Sequence, residues 1–175
     1  MTIRILATLS TVVLSIVATH WSVSLGAHPD DIRPPVSVDE ARGRARLLHE
    51  AMHATLHIVH SEYYREDEAL KIPAATMKRV FKELANRQQV ELRWLAVNAQ
   101  AMNADHKPRD AFEQQAVKVL ASGKNEYEQI DDGVYRLAST ITLSSDCLKC
   151  HAPHRNSNQD RAAALIISMS IAKKP

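Results

Sequence analysis

The two cysteines of this 175-residue chain stand three residues apart, at Cys147 and Cys150, and a histidine follows at once. A pair so closely spaced closes only a small ring, so a disulfide would remove little entropy from the unfolded chain. Chemistry explains the spacing better than stapling does. Cys147-Leu148-Lys149-Cys150-His151 matches C-x-x-C-H. Two thiols at this spacing can add to the two vinyl groups of one porphyrin, and the adjacent imidazole then sits under the iron as an axial ligand. The motif points to one haem c per chain, held through Cys147, Cys150 and His151. A thioredoxin-like redox pair would need a βαβ setting that this segment lacks. A zinc knuckle recruiting His154 would take all its ligands from one short stretch, whereas structural zinc sites draw on two separated pairs.

Charge and composition remove other classes. Lys+Arg total 22 against 20 Asp+Glu, a formal net charge of +2, with the basic residues dispersed. Neither a nucleic-acid binder nor a partner for a strongly acidic surface is expected. At 45% apolar residues the chain can build the core of one domain. Arg4 precedes an uncharged stretch from Ile5 to Ala18 that runs on to small residues at Ser24, Gly26 and Ala27. Residues 1–27 therefore read as a secretory signal peptide, with an uncleaved N-terminal anchor as the alternative. Either one places the remaining domain in the periplasm or otherwise outside the cytoplasm. Residues 28–36, with Asp30, Asp31, Pro34 and Pro35, read as a linker, and 37–175 as the folded domain.

Periodicity predicts the elements of that domain. Ser37, Asp39 and Glu40 cap a long helix to about Arg65, whose apolar stripe is Ala45, Leu48, Met52, Leu56, Val59 and Tyr63. Pro73 opens a second helix with Met77, Val80, Phe81 and Leu84 inward. Val90 to Val97 is a strand, Asn98 to Arg109 a loop, and Asp110 to Ala121 a third helix ending at Gly123. Glu126 to Ile130 and Val134 to Leu143 flank Asp131-Asp132-Gly133 as a hairpin, and Ala162 to Ala172 is a last strand. Helices first and antiparallel strands later, with one helix inserted, make the fold class α+β.

Iron accepts a second axial ligand, and the first helix offers four histidines. His49, His53, His57 and His60 fall within about 80° of one another at about 100° per residue, so they share one face. His49 and His60 lie nearest the apolar stripe, His53 next, and His57 furthest out. The expected distal ligand is His60, then His53, with His106 and Met169 as outside candidates and a vacant sixth position as the remaining alternative. Met169 in an apolar strand suits the core better. His154 stands too close to His151 to reach the opposite haem face. Bis-histidine ligation would favour electron transfer or redox sensing over oxygen chemistry.

Several further segments carry a family resemblance. They are Glu91-Leu92-Arg93-Trp94 on a strand, the Asn98 to Asp105 loop, Pro108 to Glu113 opening a helix, and Tyr135-Arg136 on a strand. Together with Cys147 to His151 they make the chain, from about Val38 to Ala172, resemble exported single-haem c-type proteins with a PAS-like fold. That family was long labelled a domain of unknown function and also occurs as the sensor region of membrane histidine kinases. The resemblance implies an antiparallel sheet of about five strands flanked by helices, with haem against the sheet and Arg93 and Arg136 facing its propionates. Some members resemble a haem with a distal cysteine from near the start of the domain; this chain has no third cysteine, and its histidine stripe is the natural substitute.

The function expected is therefore a periplasmic monohaem cytochrome that transfers single electrons or senses redox state through a separate partner protein. The alternative is a sensor binding a gas at the iron. No residue set argues for an enzyme: Asp105, His106 and Glu113 suit helix and turn capping. Association with a membrane would come through the N-terminal segment.

Overall fold

The computed structural model describes residues 33–35, 37–101 and 103–172. The signal or anchor over residues 1–27 and most of the linker lie outside these; of the linker, Pro35 is buried and its carbonyl accepts a hydrogen bond from the Ala172 amide. Among the described residues no helix is long and apolar enough to cross a membrane.

Each helix begins where its sequence supplies a cap. In α1 (Val38–Glu62) the Ser37 hydroxyl accepts the Glu40 amide at 3.1 Å, and Asp39 and Glu40 oppose the positive end of the helix dipole. Helix α2 (Pro73–Gln88) starts on proline, whose missing amide hydrogen costs nothing at that position, and ends on left-handed Gln89. Helix α3 (Ala111–Ala121) is capped by the Asp110 carboxylate on the Glu113 amide, 2.8 Å. A single turn, α4 (Leu148–His151), carries the cysteine motif after its first residue, Cys147, which is the N-cap.

Four strands form one antiparallel sheet: β1 (Val90–Ala96), β2 (Glu126–Asp131), β3 (Val134–Leu143) and β4 (Arg161–Ser170), in the order β1-β4-β3-β2. These are the strands that the sequence pattern predicts; the fifth implied by the family resemblance has no counterpart among the described residues. Asp132 and Gly133, at φ of 47° and 74°, make the tight β2–β3 turn whose left-handed positions match the strand twist. Strand β4 is central and buried on both faces, so Ala164-Leu165-Ile166-Ile167 reads as a continuous apolar run.

Alternation along the strands divides the core in two. Leu92, Trp94, Leu137, Leu165 and Ile167 face α1 and α2, meeting Ala41, Ala45, Met77 and Phe81. Leu95, Ala138, Ala164 and Ile166 face α3, meeting Phe112, Ala116 and Leu120. Two of the expected stripes bury less than their pattern suggests. In α1 burial is complete only at Ala41, Ala45 and His49, while Val59 and Tyr63 are exposed, because the sheet supports the first half of the helix and not its last turns. In α2, Val80 is exposed because it lies on the flank of a stripe centred on Met77 and Phe81.

Candidate functional site

The cysteine motif lies in the excursion between β3 and β4, where the last β3 pair is Leu143 with Arg161. Backbone bonds from Leu148 to Ser144 (3.1 Å), His151 to Cys147 (3.0 Å) and Ala152 to Leu148 (3.0 Å) wind it into one helical turn. Leu148 has no exposed surface and packs with Ile141 and Leu143 in the α1/α2-side core, while Lys149 faces solvent. The apolar residue inside the motif is thus the anchor that holds the turn to the sheet. The Gln100 amide donates to the His151 carbonyl (3.1 Å) and Arg155 Nη1 to the Leu148 carbonyl (3.0 Å), tying the turn to the loop after β1 and to the chain beyond.

Cys147 and Cys150 are free thiols, both half-buried, and Cys147 Sγ lies 3.7 Å from Ser144 Oγ. Spaced three apart on one turn, they project from the same side of it. His151 is half-buried; burial lowers its proton affinity and the nearby charge of His60 lowers it further. Burial does the same to His106, followed by the charges of Lys78, Arg93 and His151. The charge of His60 on α1 thus acts on His151 of α4, and that of His151 on His106 of the loop after β1. The Nε2 of His106 is buried and has no hydrogen-bond partner. Two half-exposed thiols, an adjacent imidazole kept neutral by burial, and further imidazoles nearby form a donor set that fits a thioether-linked haem.

The α1 histidines order themselves largely as their angles predict. His49 is buried, His53 and His60 are half-buried and His57 is exposed. His53 responds first to burial, then to the charges of His49, Glu50 and His57, so its surroundings are its own helix rather than His151. Its ring lies 5.5 Å from that of His49, and the His60 ring 5.1 Å from that of Tyr64. Met169 pairs with Tyr135 and Val90 at the end of β4 away from the motif, buried in the core.

Arg93 and Arg136 stand elsewhere. Both project to the α3 side of the sheet, opposite the core that holds Leu148, and both guanidinium groups are taken up by carboxylates. Arg93 pairs with Glu113 and donates to the backbone carbonyls of Asp105 and Lys107. Arg136 pairs with Asp110 at 2.8 Å and reaches Glu113 at 3.5 Å, its guanidinium lying 4.1 Å over the Phe112 ring. Both arginines, for which the family resemblance implies propionate contact, stand in an internal ion-pair network with these carboxylates. Its centre is Glu113, 2% exposed, which also accepts the Arg109 amide at 2.7 Å. Burial would raise the Asp110 pKa, but the Glu113 amide and Arg136 prevail and hold it low. Sequence reasoning assigned Glu113 to capping alone; the facing Arg93 and Arg136 on strands were the available signal. A cleft of about 560 Å³ opens beside this network, with Lys78, Lys82 and His106 among its walls.

A family model described as Tll0287-like matches residues 36–169, which includes all of the sheet but the last residue of β4 and the complete cysteine motif. The chain belongs to the Tll0287-like family. Among solved structures, the Tll0287-like domain is similar to the cyanobacterial heme-protein Tll0287, at a TM-score of 0.61 and 16% identity over 79% of this chain and 100% of that one. At that identity the likeness is one of fold, and it agrees with the α+β architecture described above. No curated protein matches the chain.

Proposed function

We propose that this Tll0287-like protein is a periplasmic monohaem c-type cytochrome, exported by its N-terminal segment, that transfers single electrons or reports redox state to a partner protein. The observation that carries this reading is the α4 turn: two free thiols on one side of a core-anchored helical turn, followed by a half-buried imidazole. Its structural neighbour Tll0287 is a heme-protein, which supports this reading. When bound, haem supplies a one-electron iron couple, which the protein tunes through ligand, burial and hydrogen bonding.

Each residue has a stated part. Cys147 and Cys150 hold the porphyrin by thioethers, and covalent attachment prevents its loss outside the cell. His151 supplies the proximal nitrogen, and its lowered proton affinity keeps that nitrogen free of a proton at neutral pH. His60 would supply the second iron ligand, consistent with its charge lowering the proton affinity of His151; His53 ranks behind it. A role in binding a gas at a vacant sixth position is the second reading, and His106, whose buried Nε2 has no hydrogen-bond partner, would then be a candidate to bond the ligand.

The test is protein matured with the cytochrome c assembly machinery. Intact mass is expected to rise by one haem in the parent chain and in none carrying Cys147→Ala with Cys150→Ala. The ferric protein is expected to be low-spin, and His60→Ala to turn it high-spin while His53→Ala leaves it unchanged. A chain that emerges without the added mass overturns the proposal. Ready carbon monoxide binding by the reduced parent protein would transfer it to the gas-sensing reading.

A further inference from the structure

We propose that α1 carries a second metal site, separate from the iron ligands, in which His49 and His53 chelate a divalent transition metal beside Glu50. Residues 49–53 read His-Glu-Ala-Met-His, which places the two imidazoles one helical turn apart on one side. One ligand atom from each of His49, Glu50 and His53 lies within 4.8 Å of the others. The two rings are 5.5 Å apart between centroids, tilted by 45°.

Independent of that spacing, His49 carries an unmet polar demand. The residue is 4% exposed, yet its Nε2 is buried and finds no hydrogen-bond partner, while its Nδ1 is 3.4 Å from a Glu50 oxygen. Buried polar atoms without partners are uncommon in folded proteins, and each one invites an occupant. A carboxylate beside one imidazole nitrogen is also the usual device for orienting a metal-binding histidine. His53 is half-buried and Glu50 exposed, so two of the three groups meet solvent beside the buried His49. Two nitrogens on a tetrahedral ion at about 2.1 Å lie roughly 3.4 Å from each other. The ligand atoms now lie within 4.8 Å, so binding requires a side-chain rotation of the half-buried His53 and the exposed Glu50.

Imidazole with one carboxylate is a borderline donor set, suited to Zn2+, Ni2+ and Cu2+ and not to Ca2+ or Mg2+. Water completes the coordination, and His57, exposed one turn further on, is not required.

The experiment titrates Zn2+ into the matured full chain, carrying no polyhistidine tag, by isothermal calorimetry, with the haem absorption spectrum recorded at each step. One saturable equivalent is expected, with no change in the haem spectrum. His53→Gln should weaken binding by about tenfold or more, since half of the imidazole donors are gone, and Glu50→Gln by less. His49 is buried, so His49→Gln is read only alongside a thermal melt; His53→Gln decides the matter where that variant unfolds. His60→Ala should bind Zn2+ like the parent. Unchanged binding in His53→Gln overturns the site, and so does a haem spectrum altered by His53→Gln, because His53 would then belong to the iron. Failure of haem attachment would overturn the cytochrome reading and leave this site testable on the same chain.

Discussion

Replacing Glu113 by glutamine removes a charge and keeps the shape, so its cost isolates the network beside β1. The carboxylate is 2% exposed and faces Arg93 and Arg136, whose side chains keep 20% and 23% of their exposure. Breaking a fully buried pair by neutralising one partner costs about 3–5 kcal/mol, because the other charge is stranded. Here water reaches both guanidinium groups in part, and Asp110 still holds Arg136, so the expected cost is about 2–3 kcal/mol. For a domain of this size that lowers Tm by roughly 8–12 °C, measured by circular dichroism or urea unfolding. Adding Arg93→Met to Glu113→Gln should restore part of the loss, since removing both members leaves no stranded charge. A loss below about 0.5 kcal/mol would refute the argument, because it would mean that solvent already screens the pair. Haem per chain should not change, as network and cysteine motif lie on opposite faces of the sheet. A folded Glu113→Gln protein with less haem, or with a shifted haem spectrum, would return Arg93 and Arg136 to the propionates.

Three further outcomes follow from local geometry. Arg42 and the Tyr135 hydroxyl hold the Glu128 pKa down to about 2 against an ordinary 4.5, so this carboxylate stabilises the fold above pH 4.5 and that contribution is lost as pH falls from 4.5 toward 2. Arg42→Ala should flatten that part of the acid-unfolding profile; an unchanged slope would show that Arg42 is not the cause. Leu148→Ala empties a fully buried position under α4 and should cost about 2–5 kcal/mol in urea unfolding, with less haem attached per chain because the motif loses its anchor. Gly133→Val forces a branched side chain into φ of 74° at the β2–β3 turn and should cost about 1–2 kcal/mol, whereas an equally stable variant would mean that the turn relaxes freely.

Much of the molecule was readable before folding was considered. Helix starts at Ser37, Pro73 and Asp110 were legible because caps act on amides within three or four residues. The Asp132-Gly133 turn was legible because it needs only left-handed backbone at two neighbouring positions. The cysteine motif was legible because its thiols and imidazole are contiguous and their spacing is dictated by a small molecule rather than by the fold. Burial on α1 was only partly so: the wheel placed His49 innermost and His57 outermost, with His53 and His60 between, yet could not tell that Val59 and Tyr63 stay exposed.

Other features required the assembled chain. The order β1-β4-β3-β2 depends on which distant strands bury each other's apolar faces, and no local pattern encodes that choice. The commitment of Arg93 and Arg136 to Glu113 follows from α3 crossing the sheet face onto which both arginines point. The effect of the His60 charge on His151 arises between residues far apart in the chain and exists only once α1 and α4 are folded together. Short-range hydrogen bonds and covalent spacing are written residue by residue, while charge pairing and ligand approach depend on side chains brought together across the core, where burial decides which of several equivalent groups is used.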